Sequence, residues 1–205
     1  VPIIKDIIRA YRIPILEVAG YEADDVIGTL ATEAGKQGIT TYMMTPDKDY
    51  GQLVSENVFM YRPKYGDKEF EVMGVEQVKE KFKITSPTQV IDMLGLMGDS
   101  SDNIPGCPGV GEKTAQKLIE QFGSIEELLE HTNELKGAIK TKIETNKEQI
   151  LFSKFLATIK TDVPIQLNME ELKREQADEA TLRKIFEEME FRTLIERVLG
   201  RDKKA

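Results

Sequence analysis

The sequence predicts an α/β protein, a mostly parallel sheet with helices joined to a helical subdomain. Two observations carry this. Strand and helix patterns alternate over the first 62 residues, the order that builds parallel sheets. After residue 75 the pattern changes to one helix after another.

Residues 3–11 place Ile3, Ile4, Ile7 and Ile8 on one helical face, and Pro14 ends that helix. Residues 13–18 read as a short strand, broken by Gly20. Residues 22–37 form a helix with Val26, Ile27, Leu30, Ala31 and Ala34 on its apolar face, stopped by Gly38. Residues 39–44 (ITTYMM) read as a buried strand. Residues 45–53 (TPDKDYGQL) form a loop entering a short helix. Residues 58–62 and 69–72 pair as a hairpin around Tyr65, Gly66 and Asp67. Helix is expected over 75–82. Ser86 and Pro87 are an N-cap and first-turn pair that opens a helix running to Met97.

Residues 98–115 (GDSSDNIPGCPGVGEKTA) form an acidic turn and a glycine-rich hairpin, which opens a helix over 112–122. Ser124 caps a helix over 125–131, and one or two longer helices fill 135–158. Residues 163–167 are a short extended piece, Asp178 caps a helix to about Glu190, and 192–199 form the last helix. The expected division is an α/β core over 1–84 and a helical subdomain over 85–205, whose C-terminal helices pack back on the core.

Composition narrows the chemistry. The chain has 205 residues, 40% of them hydrophobic and 31% charged, an ordinary globular balance. No apolar run reaches membrane-spanning length. One cysteine, Cys107, allows no internal disulfide and fits a reducing compartment. One histidine, His131, follows a run of glutamates and reads as solvated. Nucleophilic triads and zinc clusters therefore have almost nothing to be built from. The net charge of −8 argues against a simple basic nucleic-acid binder. Its distribution is uneven: residues 1–103 hold 17 acidic and 11 basic residues, whereas residues 104–160 hold eight of each.

Three acidic groups follow the predicted strands or can fold over the same sheet edge, where α/β ligands bind. They are Glu22, Asp24 and Asp25 (EADD), Asp47 and Asp49 (TPDKD), and Asp99 and Asp102 (DSSD). Each alone has a structural explanation: helix-dipole complementation, an N-cap, and a common turn composition. Together, up to seven carboxylates without matching Lys or Arg would repel strongly unless cations relieved them. Oxygen-only ligation selects Mg²⁺ or Mn²⁺, and a pair of such ions is suited to a phosphodiester. The hairpin offers the complementary half. Gly109, Val110 and Gly111 precede a helix whose first N–H groups can face a phosphate. Lys113 and Lys117, one turn apart, add charge, and Thr114 lies between them. A plain helix–turn–helix corner is the alternative.

Residues 21–31 (YEADDVIGTLA), 45–53 (TPDKDYGQL) and 98–123 together resemble the 5′-nuclease domain of bacterial DNA polymerase I, within the flap endonuclease superfamily. The resemblance covers nearly the whole chain in order. It implies a PIN-like sheet with a helix–three-turn–helix subdomain. It also implies hydrolysis of DNA from the 5′ end and at 5′ flaps with two divalent metals, Mg²⁺ or Mn²⁺. By position, Glu22 and Asp24 match a first metal site, and Asp24, Asp47, Asp49 and Asp102 a second. Asp25 and Asp99 match supporting acids. Gly109, Gly111, Lys113 and Thr114 match the hairpin that grips duplex DNA, and Val110 and Lys117 are expected to contact DNA beside them. The resemblance also implies a potassium ion on hairpin carbonyls, a bacterial cytoplasmic location at the nucleoid, and a monomer.

The family's first strand, with its metal-binding Asp, and its helical arch have no counterpart here. The chain is therefore expected to be a fragment of a longer DNA polymerase I-like polypeptide. Two other readings stay open, a DNA-binding module without catalysis and a PIN-type ribonuclease.

Overall fold

The computed structural model describes residues 2–63 and 70–200, so the expected turn at Tyr65, Gly66 and Asp67 and the tail 201–205 lie outside the described residues. The chain packs as two compact units, residues 20–165 and, formed from both ends, residues 1–19 with 166–205.

In the larger unit, helix α2 (Ala23–Lys36) leads to strand β1 (Thr41–Met44), a 3₁₀ segment (Lys48–Leu53), and strands β2 (Val58–Pro63) and β3 (Phe70–Met73). Helix α1 (Pro2–Ala10) belongs to the smaller unit. The sheet order is β1-β2-β3. Thr41 pairs with Val58 in a parallel ladder, and Met60 with Met73 in an antiparallel one. β1 is not buried throughout, as its sequence suggests. It alternates, with Met43 inside and Tyr42 and Met44 outside, and Tyr42 stacks on Phe59 at 5.5 Å.

The helical half follows: α3 (Val75–Phe82), a 3₁₀ turn (Pro87–Gln89), α4 (Val90–Met97), α5 (Glu112–Phe122), α6 (Ile125–Glu130), α7 (Gly137–Thr145) and α8 (Lys147–Ala157). Pro87 opens its segment as 3₁₀ rather than α. Gln89 Oε1 folds back to take the Ser86 N–H at 3.1 Å. α4 lies at the centre, with Val90, Met93, Leu94 and Leu96 fully buried in one core that also takes Val58, Met60, Ile119, Ile125, Leu128, Ile143 and Ile150. Burying each such side chain contributes roughly 1.5–3 kcal/mol. An ion cluster centred on buried Asp92 ties the helices together. Asp92 of α4 accepts the Ile125 N–H at 3.0 Å and the Lys154 ammonium at 2.6 Å, and Lys154 also reaches Glu126 at 2.6 Å.

In the smaller unit, α1 packs against α9 (Glu179–Glu188) through Ala10, Leu182 and Phe186. Asp178 caps α9 by accepting the Thr181 N–H at 3.0 Å, and its own N–H donates to Ala10 O at 2.8 Å. A helical turn, α10 (Arg192–Leu194), continues as a π turn through Leu199. The strand expected at 13–18 is absent. These residues carry no regular secondary structure, and no described strand pairs with them. Residues 163–167 likewise join no sheet, and they bend at Pro164, where the Ile165 N–H donates to the Val163 carbonyl at 2.7 Å. Alternating apolar residues favour extension, but a strand also needs a neighbour for its backbone groups. Among the described residues no helix is long and apolar enough to cross a membrane.

Candidate metal centre and nucleic-acid interface

The acidic turn is built by two glycines packed back to back. Gly98 (φ +73°) ends α4, and Gly106 (φ +61°) returns the chain against it, so closely that a Cβ on Gly106 would collide with the Gly98 backbone. Between them Asp99 and Ile104 exchange both backbone hydrogen bonds, at 2.9 and 2.7 Å. The return is anchored to α8. The Gly106 N–H donates to buried Ser153 Oγ at 3.0 Å, and its carbonyl accepts Gln149 Nε2 at 2.7 Å. The loop carrying Asp99 and Asp102 is thereby fixed to the helical core.

The second contributor is the 3₁₀ segment after β1. Asp47 is its N-cap, taking the Asp49 N–H at 3.0 Å. Asp49 turns inward and is only 7% exposed. Carboxylate oxygens of Asp49, Asp99 and Asp102 lie within 4.8 Å of one another. Asp49 Oδ1 is buried and has no hydrogen-bond partner. Burial, followed by the charge of Asp47, pushes the Asp49 carboxyl up to about 7. Burial and the neighbouring charges of Asp99 and Asp47 raise Asp102 too. Asp99 behaves differently. Burial opposes its charge, but a short bond from Lys48 Nζ and the Ser101 N–H at 2.8 Å outweigh that and hold its carboxyl low. A buried acceptor without a donor beside two more carboxylates fits a hard divalent cation, and the set contains no nitrogen or sulfur ligand.

The EADD group sits at the start of α2 and lines the same cleft, of about 260 Å³, as Asp49 and Asp102. Leu156, Ala157, Thr158 and Ile159 close its other side. Glu22 is exposed. Asp24 accepts the buried Tyr50 hydroxyl at 2.7 Å, and burial together with that bond raises the Tyr50 pKa, so the phenol stays a donor. Asp25 is committed to structure. One oxygen takes the Lys160 N–H at 2.9 Å and the other the Glu22 N–H at 3.4 Å. Of the seven acids, three therefore form one tight group, while Glu22 and Asp24 face its cleft. Asp25 and Asp47 hold backbone.

Motif reading overlooked three residues. Lys48 lies inside TPDKD and offsets part of the acidic charge. Burial works against its ammonium, but the bond to Asp99 and the fields of Asp99, Asp49 and Asp47 raise its pKa. Tyr50 orients Asp24. Gln52, 7% exposed, bonds the Asp49 carbonyl, the Ala157 carbonyl and the Ile159 N–H at 2.9–3.0 Å, joining the segment of Asp49 to the far wall.

At the hairpin, Gly109 takes φ +73° and Gly111 caps α5. Space beside Gly111 is open, so a Cβ there would meet nothing within 4 Å. The Val110 side chain is 3% exposed and belongs to the core, which leaves only its backbone for a ligand. The Thr114 N–H is spent on Gly111 O at 2.9 Å, whereas those of Glu112 and Lys113 have no acceptor among the described residues. Lys113 and Lys117 are exposed on α5. The Gly109 carbonyl accepts the Lys142 ammonium of α7 at 3.2 Å.

Comparison with known proteins supports a common origin. Residues 1–83 match the family described as 5′-3′ exonuclease, N-terminal resolvase-like domain, and residues 85–180 match 5′-3′ exonuclease, C-terminal SAM fold. DNA polymerase I of Bacillus subtilis (strain 168) is 47% identical over 202 residues, covering 98% of this chain and 23% of that protein. DNA polymerase I of Bacillus caldotenax is 41% identical over 198 residues, 96% of this chain and 22% of that protein. The chain thus spans under a quarter of the length of these relatives. Among solved structures, T5 5′-exonuclease with bound divalent metal ions (zinc) superposes with a TM-score of 0.65 at 20% identity, covering 85% of this chain and 62% of that one. The catalytic core of Rad2 in complex with DNA substrate gives 0.64 at 14%, covering 96% and 67%. The two family matches run consecutively over most of the chain, and the α/β fold with its helical half is the PIN-like one of these nucleases. The chain belongs to the 5′-3′ exonuclease family.

Proposed function

We propose that the chain supplies the metal-binding and duplex-gripping parts of a nuclease that hydrolyses DNA from the 5′ end and at 5′ flaps. The observation that carries this reading is the buried, donorless oxygen of Asp49 beside Asp99 and Asp102. Those three carboxylates would hold one divalent ion, and Glu22 and Asp24, across the cleft, would serve a second. Asp47 and Asp25 hold the two acid-bearing segments in shape. Oxygen ligands without His or Cys favour Mg²⁺ or Mn²⁺. Bound ions of this kind stabilise charge on a phosphodiester and lower the pKa of an attacking water.

The chain's own residues do the rest. Lys48 limits repulsion within the acidic group, and Tyr50 fixes the Asp24 carboxylate. The hairpin backbone from Gly109 to Gly111, with Lys113, Thr114 and Lys117, holds a duplex by its phosphates without reading sequence. The functional division then falls near residue 84, with a nuclease core before it and a DNA-holding subdomain after it, as the two family matches also divide. The T5 relative's bound divalent ions and the Rad2 relative's DNA substrate support both halves of the reading. Polymerisation is assigned to the remaining length of relatives such as the B. subtilis enzyme.

Cleavage of a 5′-labelled flap by the full-length gene product, with Mn²⁺ or with chelator, tests the proposal. Cleavage should require the metal and fall at least about 100-fold in D49N and D102N, with duplex affinity unchanged within about threefold. Wild-type rates in both variants would overturn it. DNA binding without turnover in the wild type would favour a binding module, and preferential cleavage of single-stranded RNA would favour a PIN-type ribonuclease.

A further inference from the structure

We propose that the Lys142 ammonium is the resident cation of the DNA-gripping hairpin, so that the hairpin holds its shape and meets phosphate without a bound potassium ion. The inference rests on the DNA-binding reading above and starts from three observations. First, Lys142 Nζ lies 3.2 Å from the Gly109 carbonyl. It sits so close to the Gly109 α-carbon that any side chain at 109 would strike it. Second, among the described residues no carboxylate lies in ion-pair range of Lys142, so its charge is not neutralised by the protein. Third, its backbone is fixed from both sides. The Lys142 carbonyl accepts Asn146 Nδ2 at 2.8 Å and faces buried Cys107 Sγ at 3.8 Å, and Cys107 begins the hairpin.

A cation held on carbonyls serves a phosphate-binding loop in two ways. It draws carbonyl oxygens inward, which turns neighbouring N–H groups outward. It also places positive charge beside the phosphate. The Lys142 ammonium meets both requirements. Gly109, in the left-handed region, offers its carbonyl to the lysine, and the N–H groups of Glu112 and Lys113 stay without an acceptor among the described residues. A potassium ion on the same carbonyl would stand within a few ångströms of a full positive charge, so the site as built does not suit it.

The test measures affinity for a short labelled DNA duplex by fluorescence anisotropy at fixed ionic strength, in potassium chloride or in the chloride of a bulky organic cation. The proteins are wild type, K142M and K142R, each checked for an unchanged far-UV spectrum. Wild type and K142R should bind within about twofold in both salts. K142M should bind about tenfold more weakly in the organic salt and regain much of that loss in potassium. The assignment fails if wild type loses affinity more than about fivefold without potassium. It also fails if K142M matches wild type, or if potassium does not relieve the K142M defect. Failure of wild type to bind duplex in either salt would instead refute the DNA-binding reading itself.

Discussion

Asp49→Asn should make the protein more stable while removing its response to metal. Asp49 is 7% exposed, one oxygen lacks a donor, and its carboxyl is pushed to about 7 from an ordinary 3.8. Three pKa units correspond to about 4 kcal/mol of opposition to the charged form, an upper figure because the site relaxes. The sign follows from linkage. A carboxyl raised in the folded state contributes stability that is complete below the unfolded value of 3.8 and is lost as pH rises through 7. In chelator at pH 8, D49N should therefore exceed wild type by about 1–3 kcal/mol, or roughly 2–10 °C in Tm for a chain of this size. At pH 4 the two should converge. Adding Mn²⁺ at pH 8 should stabilise wild type and leave D49N nearly unmoved. Chemical denaturation across pH 4–8, with and without Mn²⁺, reads all of this. A variant no more stable than wild type at pH 8, or a gap independent of pH, would refute the argument that Asp49 is a strained ligand.

Three further outcomes follow from the packing. Lys154→Met leaves Asp92, 6% exposed, buried without its ion partner and should cost about 3–5 kcal/mol in urea unfolding. Bonding to Lys154 outweighs burial and holds Glu126 low, while burial opposes and the two carboxylates raise Lys154 itself. The K154M penalty should thus be flat at neutral pH, shrinking as Glu126 protonates below its ordinary value of 4.5 or as Lys154 deprotonates above 10.5. Gly106→Ala forces a side chain into the Gly98 backbone at positive φ. It should cost about 2–4 kcal/mol and weaken Mn²⁺ binding by displacing Asp99 and Asp102, as calorimetric titration would show. Ser153→Ala removes the acceptor of the buried Gly106 N–H and should cost about 1–3 kcal/mol in the same unfolding assay.

Local signals were legible and non-local ones were not. The bounds of α5, residues 112–122, and the caps Ser124 and Asp178 are readable because each depends on neighbours within one turn. The failed strand at 13–18 and the half-exposed β1 show the opposite case. Both depend on partners far along the chain, which an apolar run does not reveal. The site divides the same way. Clustering of Asp49, Asp99 and Asp102 follows from three local motifs meeting, but their division of labour does not. Asp47 and Asp49 are equivalent in sequence. One is spent capping a helix, and the other is buried without a donor. Asp25 looks like a ligand until the Lys160 N–H, 135 residues away, is found on it. Lys142, 33 residues from Gly109, leaves no trace in the hairpin motif.

The central claim is that Asp49, Asp99 and Asp102 form a divalent cation site. Anomalous diffraction from crystals grown with Mn²⁺ measures this directly. A manganese peak in contact with carboxylate oxygens of all three, absent from D49N crystals, is the result predicted here. A wild-type map with no peak between these residues, or with manganese bound only elsewhere on the protein, would contradict it.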